Sequence, residues 1–468
     1  MRTIDVRSGA IAPPLVKLSL PVLAGQACNL LYNLIDTYFI GLIDKTDPYL
    51  IGSTGLVFPI FFVFMAVTFG ISGGVSSLVA RAIGAGRSED LDRTAESGLF
   101  MALVASALFL GLFYPFGESL LRVFGGAGRL LEYGKEYLFW LLPVVPFMLL
   151  SAVFMGILQG EGRTIHMMVS MIIGTVANII LDPLFIFGAK MGVSGAAFAT
   201  ALSNALGFVY LLVVFLATSS KVKIHWKVSK ISLPVIGEVL RVGFPQSLGN
   251  LLASLSFVFY NRIMMDIDPY IISAFTIYSR IEQAALIPVW SLMSGLSAVA
   301  GQAAGAHDIP RMKATVRTAT LIGLSVSGTL LLAYVFASGP VFRLFQSDPK
   351  VLAFASAMTP WMAGATFLAV PFFMGNAGMA VAGFAGRSLA LNAIRIYLLN
   401  VPACLLGAYV IGKGFMPSIV AIFLSGIAAL VLSLLAQWRF FDALEKGKIT
   451  IRHAVQGAPV PSEAGAGA

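Results

Sequence analysis

Two aspartates stand where a membrane-spanning chain tolerates them least. Asp36 lies inside the apolar run 15–42, and Asp182 closes the run 165–181 as Asn178-Ile179-Ile180-Leu181-Asp182-Pro183. An ionised Asp at the centre of a spanning helix costs about 2.5–3.5 kcal/mol on insertion scales, so intramembrane acids usually face a cavity or carry a proton or cation. The chain has only 22 acidic residues in 468, and two of them inside apolar runs point to transport chemistry.

Asn178 and Asp182 are one helical turn apart and share a face. Pro183 disturbs the backbone ladder there and leaves freed carbonyls able to ligate a cation. Thr200 offers a hydroxyl in the next run, and Tyr32 lies one turn before Asp36 on the same face. Hard monovalent cations prefer such oxygen donors, and a carboxylate can hold a proton instead. Two nearby carboxylates cannot both stay ionised without a partner. Asp36, Asn178, Asp182 and Thr200, with Tyr32 near them, are therefore candidate ligands of H⁺ or Na⁺. The competing reading makes both aspartates helix caps near an interface. Pro183 and Gly188 suit that role for Asp182, whereas about twenty mostly apolar residues precede Asp36.

The elements that must hold these residues are membrane helices. A mean hydropathy of +0.89, with 58% apolar and 11% charged residues, excludes the soluble class. Twelve apolar stretches are long enough to cross a bilayer: 15–41, 50–80, 95–117, 131–159, 165–188, 192–218, 235–265, 270–301, 314–338, 352–381, 389–411 and 416–440. They are continuously apolar rather than alternating, which selects helices over a barrel. The first run follows Pro13-Pro14 and is too long for a signal peptide, so it is expected to stay as a span. Cys28 and Cys404 fall in different halves and are expected to be buried free thiols.

The net charge of +9 is distributed as a membrane protein's, not a nucleic-acid binder's. Twenty Lys and Arg residues fall at the termini and even-numbered loops, among them Arg81, Arg87, Arg93, Lys221, Lys223, Lys227, Lys230, Arg311 and Lys313; eight fall in odd-numbered loops. This positive-inside bias predicts a multi-pass plasma-membrane protein with both termini cytoplasmic.

The chain is also written twice. Leu20-Pro21-Val22-Leu23-Ala24-Gly25 is echoed by Phe244-Pro245-Gln246-Ser247-Leu248-Gly249, Ala82-Ile83-Gly84-Ala85 by Ala303-Ala304-Gly305-Ala306, and Gly162-Arg163-Thr164 by Gly386-Arg387-Ser388. The offsets are 224, 221 and 224, in the same order and at equivalent helix ends. The predicted fold is all-α, with twelve transmembrane helices in two six-helix lobes related by a pseudo-two-fold axis along the membrane normal. The lobes are expected at 1–218 and 235–441, with a cytoplasmic linker at 219–234 and a partly disordered cytoplasmic tail at 442–468.

In the second half, Arg280 and Glu282 form a candidate polar site. Being two apart, they point to different faces, and Arg262 and Arg395 are candidate partners. A structural charge network and a substrate or proton role for Glu282 both fit. The 35 Phe, 13 Tyr and 18 Met suit an adaptable apolar cavity.

Enzyme signals fail. Gly407 to Lys413 has the spacing of a phosphate loop, but Gly414 stands where Ser or Thr must hold magnesium. The four histidines make no His-Glu-x-x-His pattern. No cofactor is expected beyond the coupling ion, and transport must draw on an ion gradient.

Pro21, Asp36 fifteen positions on, the run Asn178 to Pro183 and Thr200 resemble the multidrug and toxic compound extrusion (MATE) transporters. Ala82-Ile83-Gly84-Ala85-Gly86 and Ala300-Gly301-Gln302-Ala303-Ala304-Gly305-Ala306 are similar to that family's paired loops. The resemblance implies a cation-coupled antiporter that exports bulky, amphipathic, often cationic compounds by alternating access, and a monomer is expected. It implies coupling at Asp36, Asn178, Asp182 and Thr200, with Tyr32 and Asn29 nearby, and a bend of the first helix at Pro21. Another branch of the family carries an essential acid about eight residues after the seventh-helix proline. Here Ala253-Ser254-Leu255-Ser256 contains none. A lipid or polyisoprenoid flippase of related fold is the alternative, though it favours a basic cavity and only Arg262, Arg280 and Arg395 lie inside helices. An intramembrane prenyl transferase would extend Asn178-x-x-x-Asp182 to an Asp at 186, which is Ile.

Overall fold

The computed structural model describes residues 9–43, 47–217, 220–222, 230–345, 348–411 and 414–451. The first eight residues, most of the linker and the tail beyond 451 lie outside the described residues, and with them Arg2, Arg7, Lys223, Lys227 and Arg452. The chain is all helix among the described residues. α1 (Ala12–Ile43), α2 (Pro48–Ala85) and α3 (Ser88–Val123) each cross once. α4 (Gly128–Leu141) and α5 (Val144–Glu161) cross together. α6 (Thr164–Pro183) and α7 (Val193–Ala217) complete the N lobe. The C lobe comprises α8 (Leu233–Ile267), α9 (Pro269–Gly305), α10 (Ile309–Phe345), α11 (Pro349–Met379), α12 (Ala385–Ala393), α13 (Val401–Tyr409) and α14 (Phe415–Glu445). π-helical turns join α11 to α12 and α12 to α13. The α4–α5 and α12–α13 pairs are each counted as one crossing, which gives twelve passages among the described residues, in line with the apolar runs.

Several helix ends are written locally. Asp47, Asp268 and Asp348 each precede a proline, and each side chain accepts a backbone N–H two residues on, at 2.8–3.0 Å. The acid caps the orphan donors, while proline suits the first helical position because it has no donor to lose. Asp47 and Asp268 are 221 apart, as the repeat requires. So are the left-handed closures of α2 and α9, Gly86 (φ 70°) and His307 (φ 59°). One repeat element is displaced. Gly162 closes α5 in the left-handed region (φ 75°), but its C-lobe counterpart is Gly383 (φ 93°), with Gly386 already inside α12.

The lobes meet mainly through α1 and α2 against α8 and α9. A Cβ on Gly84 would stand 2.1 Å from the Gln302 carbonyl oxygen, and one on Gly305 would stand 2.0 Å from that of Arg81. The two contacts are reciprocal: residues 81 and 84 become 302 and 305 on the repeat offset of 221. Ser76 and Ser297, also 221 apart, face each other at 3.4 Å between hydroxyl oxygens. Reciprocal contact of this kind is the signature of a two-fold axis. Ser77 donates to the Val381 carbonyl at 2.9 Å, and Gln302 donates to that of Gly160 at 3.1 Å. All of these contacts cluster at the linker-side ends of the helices and clamp the lobes there. The linker's described ends are tied to the N lobe: Ser220 and the Lys221 N–H donate to Glu161 at 2.7 and 2.9 Å, and Lys230 pairs with Asp92 at 2.9 Å.

Candidate functional site

The site begins with how closely α1 lies on α6. Gly25 makes room for Met171, whose sulfur would stand 2.8 Å from a Cβ there. Ser170 donates to the Gly207 carbonyl at 3.0 Å and seats α7 on α6. These contacts bring the far halves of three helices together. Tyr32 and Asp36 come from α1, Asn178 and Asp182 from α6, and Thr200 from α7. After Pro183 the chain winds into the π-helical turn Leu184–Gly188, the irregularity expected where proline removes a helical donor.

Asn178, Asp182 and Thr200 are 1%, 0% and 4% exposed. The Asn178 amide spends its two N–H donors on Asp182 Oδ1 at 3.1 Å and Thr200 Oγ1 at 3.5 Å. Tyr32 bonds to Thr200 and lies in the field of both carboxylates. What remains is a surplus of acceptors. Asp36 Oδ1, Asn178 Oδ1 and Asp182 Oδ2 are all buried without a hydrogen-bond partner. The two carboxylates feel each other, and no Lys or Arg within 4 Å pairs with either among the described residues.

A buried oxygen with no donor costs about 1–3 kcal/mol, and more when it is charged. Three of them within one polar cluster make an acceptor set that would suit a hard monovalent cation, and a proton on either carboxyl would relieve part of the deficit. The donor set is oxygen only, which fits Na⁺ or H⁺ and not a soft transition metal. Among the described residues no group of three His, Cys, Asp or Glu side chains gathers as a metal cluster.

Sequence reasoning missed Tyr137. It comes from α4, is 9% exposed, and faces Asp36, Tyr32 and Asp182. A tyrosine on a half-apolar helix carries no signal that separates it from the 12 others in the chain. Asn29 lies on an exposed part of α1, and Pro21 lies within that helix without ending it.

The C-lobe candidates separate. Arg280 is exposed, whereas Glu282 turns into the lobe and accepts from the Thr366 hydroxyl. Arg262 is not a partner of either; it pairs with Asp266 one turn away at 3.5 Å on an exposed surface. Cys28 and Cys404 are both free thiols. Cys404 is buried, and Cys28 only partly.

The MatE family model matches this chain twice, over residues 21–184 and 245–406. Each match covers most of one lobe, and the two begin on Pro21 and Pro245. The chain belongs to the MATE family. It is 25% identical over 350 residues to Multidrug export protein MepA of Staphylococcus haemolyticus (strain JCSC1435), covering 74% of this chain and 76% of that one. A MATE structure in complex with MaL6 superposes with a TM-score of 0.89 at 25% identity, over 95% of this chain and 100% of the other. The outward-facing conformation of a multidrug resistance MATE family transporter of the MOP superfamily gives 0.89, 25%, 95% and 99%. This MATE protein is thus a multi-spanning secondary transporter with two lobes, not an enzyme.

Proposed function

We propose that this transporter exports bulky, amphipathic, often cationic compounds in exchange for H⁺ or Na⁺, with Asp36, Asn178, Asp182 and Thr200 as the coupling site. The observation that carries the reading is the convergence of three buried, partnerless oxygens from two helices, with no Lys or Arg among the described residues paired to either carboxylate. Relatedness to a multidrug export protein supports the substrate class. We take 1–218 and 235–441 as the lobes that rock against each other, in a monomer in the plasma membrane.

Geometry suggests how the cycle runs. The clamp closes the linker side, which the basic-residue bias puts in the cytoplasm. Asp36 is seven residues, about 10 Å, from the end of α1 on the opposite side. In this state the coupling site therefore loads from outside. An ion held between the carboxylates removes their mutual repulsion and lets α1 close on α6. Its release inside restores the repulsion and resets the lobe. One cation crossing about 100 mV supplies ~2.3 kcal/mol, and a tenfold ion gradient adds ~1.4 kcal/mol. Together they sustain a gradient of an uncharged drug of roughly a few hundred-fold. A monocation exchanged one for one moves no net charge, so the ion gradient alone sustains about tenfold, and neither case needs ATP.

Everted vesicles with pH and sodium gradients imposed separately test the reading. Dye movement should follow one of the two gradients and collapse with the matching ionophore. Movement indifferent to both gradients would sink the proposal. The orientation is checked by cysteine labelling of intact cells with an impermeant thiol reagent. Lys350→Cys should be labelled and Lys223→Cys should not; the reverse pattern would turn the topology over.

A further inference from the structure

The repeat places a second polar centre inside the C lobe, and its charge is of the opposite kind. On offsets of 222 to 225, Asp36 corresponds to Tyr260, Asn178 to Asn400, Asp182 to Cys404 and Thr200 to Ser425. The neutral part of the arrangement is kept. Ser425 donates to Asn400 Oδ1 at 3.1 Å, as Thr200 stands beside Asn178, and Tyr260 faces Asn400, Cys404 and Arg395. Both acids are gone. In their place Arg395 projects from the π-helical turn Ile394–Asn400, ten residues or about 15 Å from the start of α12.

The guanidinium lies over the rings of Phe372 and Phe373, at 4.6 and 5.3 Å from their centroids. Its Nη2 donates to Asn392 Oδ1 at 3.2 Å. Its Nε is buried with no acceptor. Among the described residues no carboxylate lies within 4 Å of it. Glu282 is in its field but is held by Thr366, which comes from α11. A cavity of about 30 Å³ between α11, the π-turn and α14 is lined by Arg395, Asn400, Phe372, Ile422 and Gly426. It is large enough for a water-sized or slightly larger occupant.

We propose that this cavity is a monoanion site, taking a halide or a carboxylate against Arg395 Nε and the Asn400 amide. A permanent guanidinium deep in a membrane protein without an ion-pair partner is costly, and a buried charge is normally paired. Arginine presents planar donors suited to an anion, and Arg395 lines the cavity with its Nε still without an acceptor. The N lobe thus offers oxygen acceptors to a cation, and the same architecture in the C lobe offers N–H donors to an anion.

The test uses full-length protein in lipid nanodiscs at constant sodium and ionic strength. Chloride or formate replaces gluconate while thermal unfolding is followed. A saturable rise in Tm is expected with at least one of the two. Chloride alone would mark a halide site, and a response to formate would mark a site open to a small carboxylate. Either response should vanish in Arg395→Gln. In Arg395→Lys, which keeps the charge and loses Nε, the apparent affinity should fall about tenfold. Three results would overturn the proposal: no saturable response to either anion, a response unchanged in Arg395→Gln, or recovery of parent stability in Arg395→Gln/Glu282→Gln when each single variant loses it. The last would make the two residues an internal charge pair.

Discussion

Asp36→Asn and Asp182→Asn should each reduce gradient-driven export to the level of vesicles lacking the protein, while the protein still inserts and folds. The amide keeps the size and much of the hydrogen bonding of the acid, but it cannot exchange a proton or neutralise a cation. Removing one intramembrane charge relieves up to about 2.5–3.5 kcal/mol of insertion cost, so expression should hold or rise. Substrate binding should persist, because binding and coupling are separate free energies. Asn178→Ala and Thr200→Ala remove neutral oxygens and should leave partial export. Dye efflux normalised to folded protein in the membrane separates these outcomes. Near-normal export by the Asp36→Asn/Asp182→Asn double variant would return both residues to a structural role.

The second large effect lies at the clamp. Ser76 and Ser297 face each other across the two-fold axis at 3.4 Å, close enough for the corresponding cysteines to join with small adjustments. In a Cys28→Ser/Cys404→Ser background, oxidised Ser76→Cys/Ser297→Cys should be locked with its linker side closed. It should transport nothing until a reductant is added, then regain most of its activity. Full transport by quantitatively cross-linked protein would mean that the lobes need not part there. Gly84→Val should act oppositely, because its side chain would press on the Gln302 carbonyl. Overpacking of this kind costs about 1–3 kcal/mol, enough to shift a two-state equilibrium about five- to hundred-and-fifty-fold away from the clamped state. Gly55→Ala, with nothing within 4 Å of its Cβ position on the same helix, is the control.

The N-lobe cluster was legible because polar residues inside apolar runs stand out against their background. Asp36 and Asp182 announce themselves by cost alone, and the four-residue spacing puts Asn178 beside Asp182. The duplication was legible through Pro21 and Pro245, which sit inside α1 and α8 at equivalent places. Tyr137 was not, since nothing local says which face of α4 turns toward the two acids. The clamp was equally hidden. Gly84 and Gly305 are two of 47 glycines, and their role appears only when the two helices are seen to pack backbone to backbone. Arg262 misled for a related reason. Its position inside a long helix suggests burial, but at this point of α8 it is Ile263 and Met264 that face the core, leaving Arg262 on the opposite face, exposed beside Asp266. Gly383 displaced Gly386 because a left-handed turn three residues earlier ends the tenth passage, and a three-residue shift is invisible in a weak repeat.

The central claim is that an ion held by Asp36 and Asp182 is exchanged for substrate, and ion flux in proteoliposomes tests it most directly. A substrate dye is presented on one side without any ion gradient, and proton and sodium movement in the opposite direction are recorded together. The parent protein should show saturable, dye-dependent counterflux of one of the two ions. The Asp36→Asn/Asp182→Asn variant should show none while still exchanging labelled for unlabelled dye. Counterflux of parental size in that variant would contradict the account.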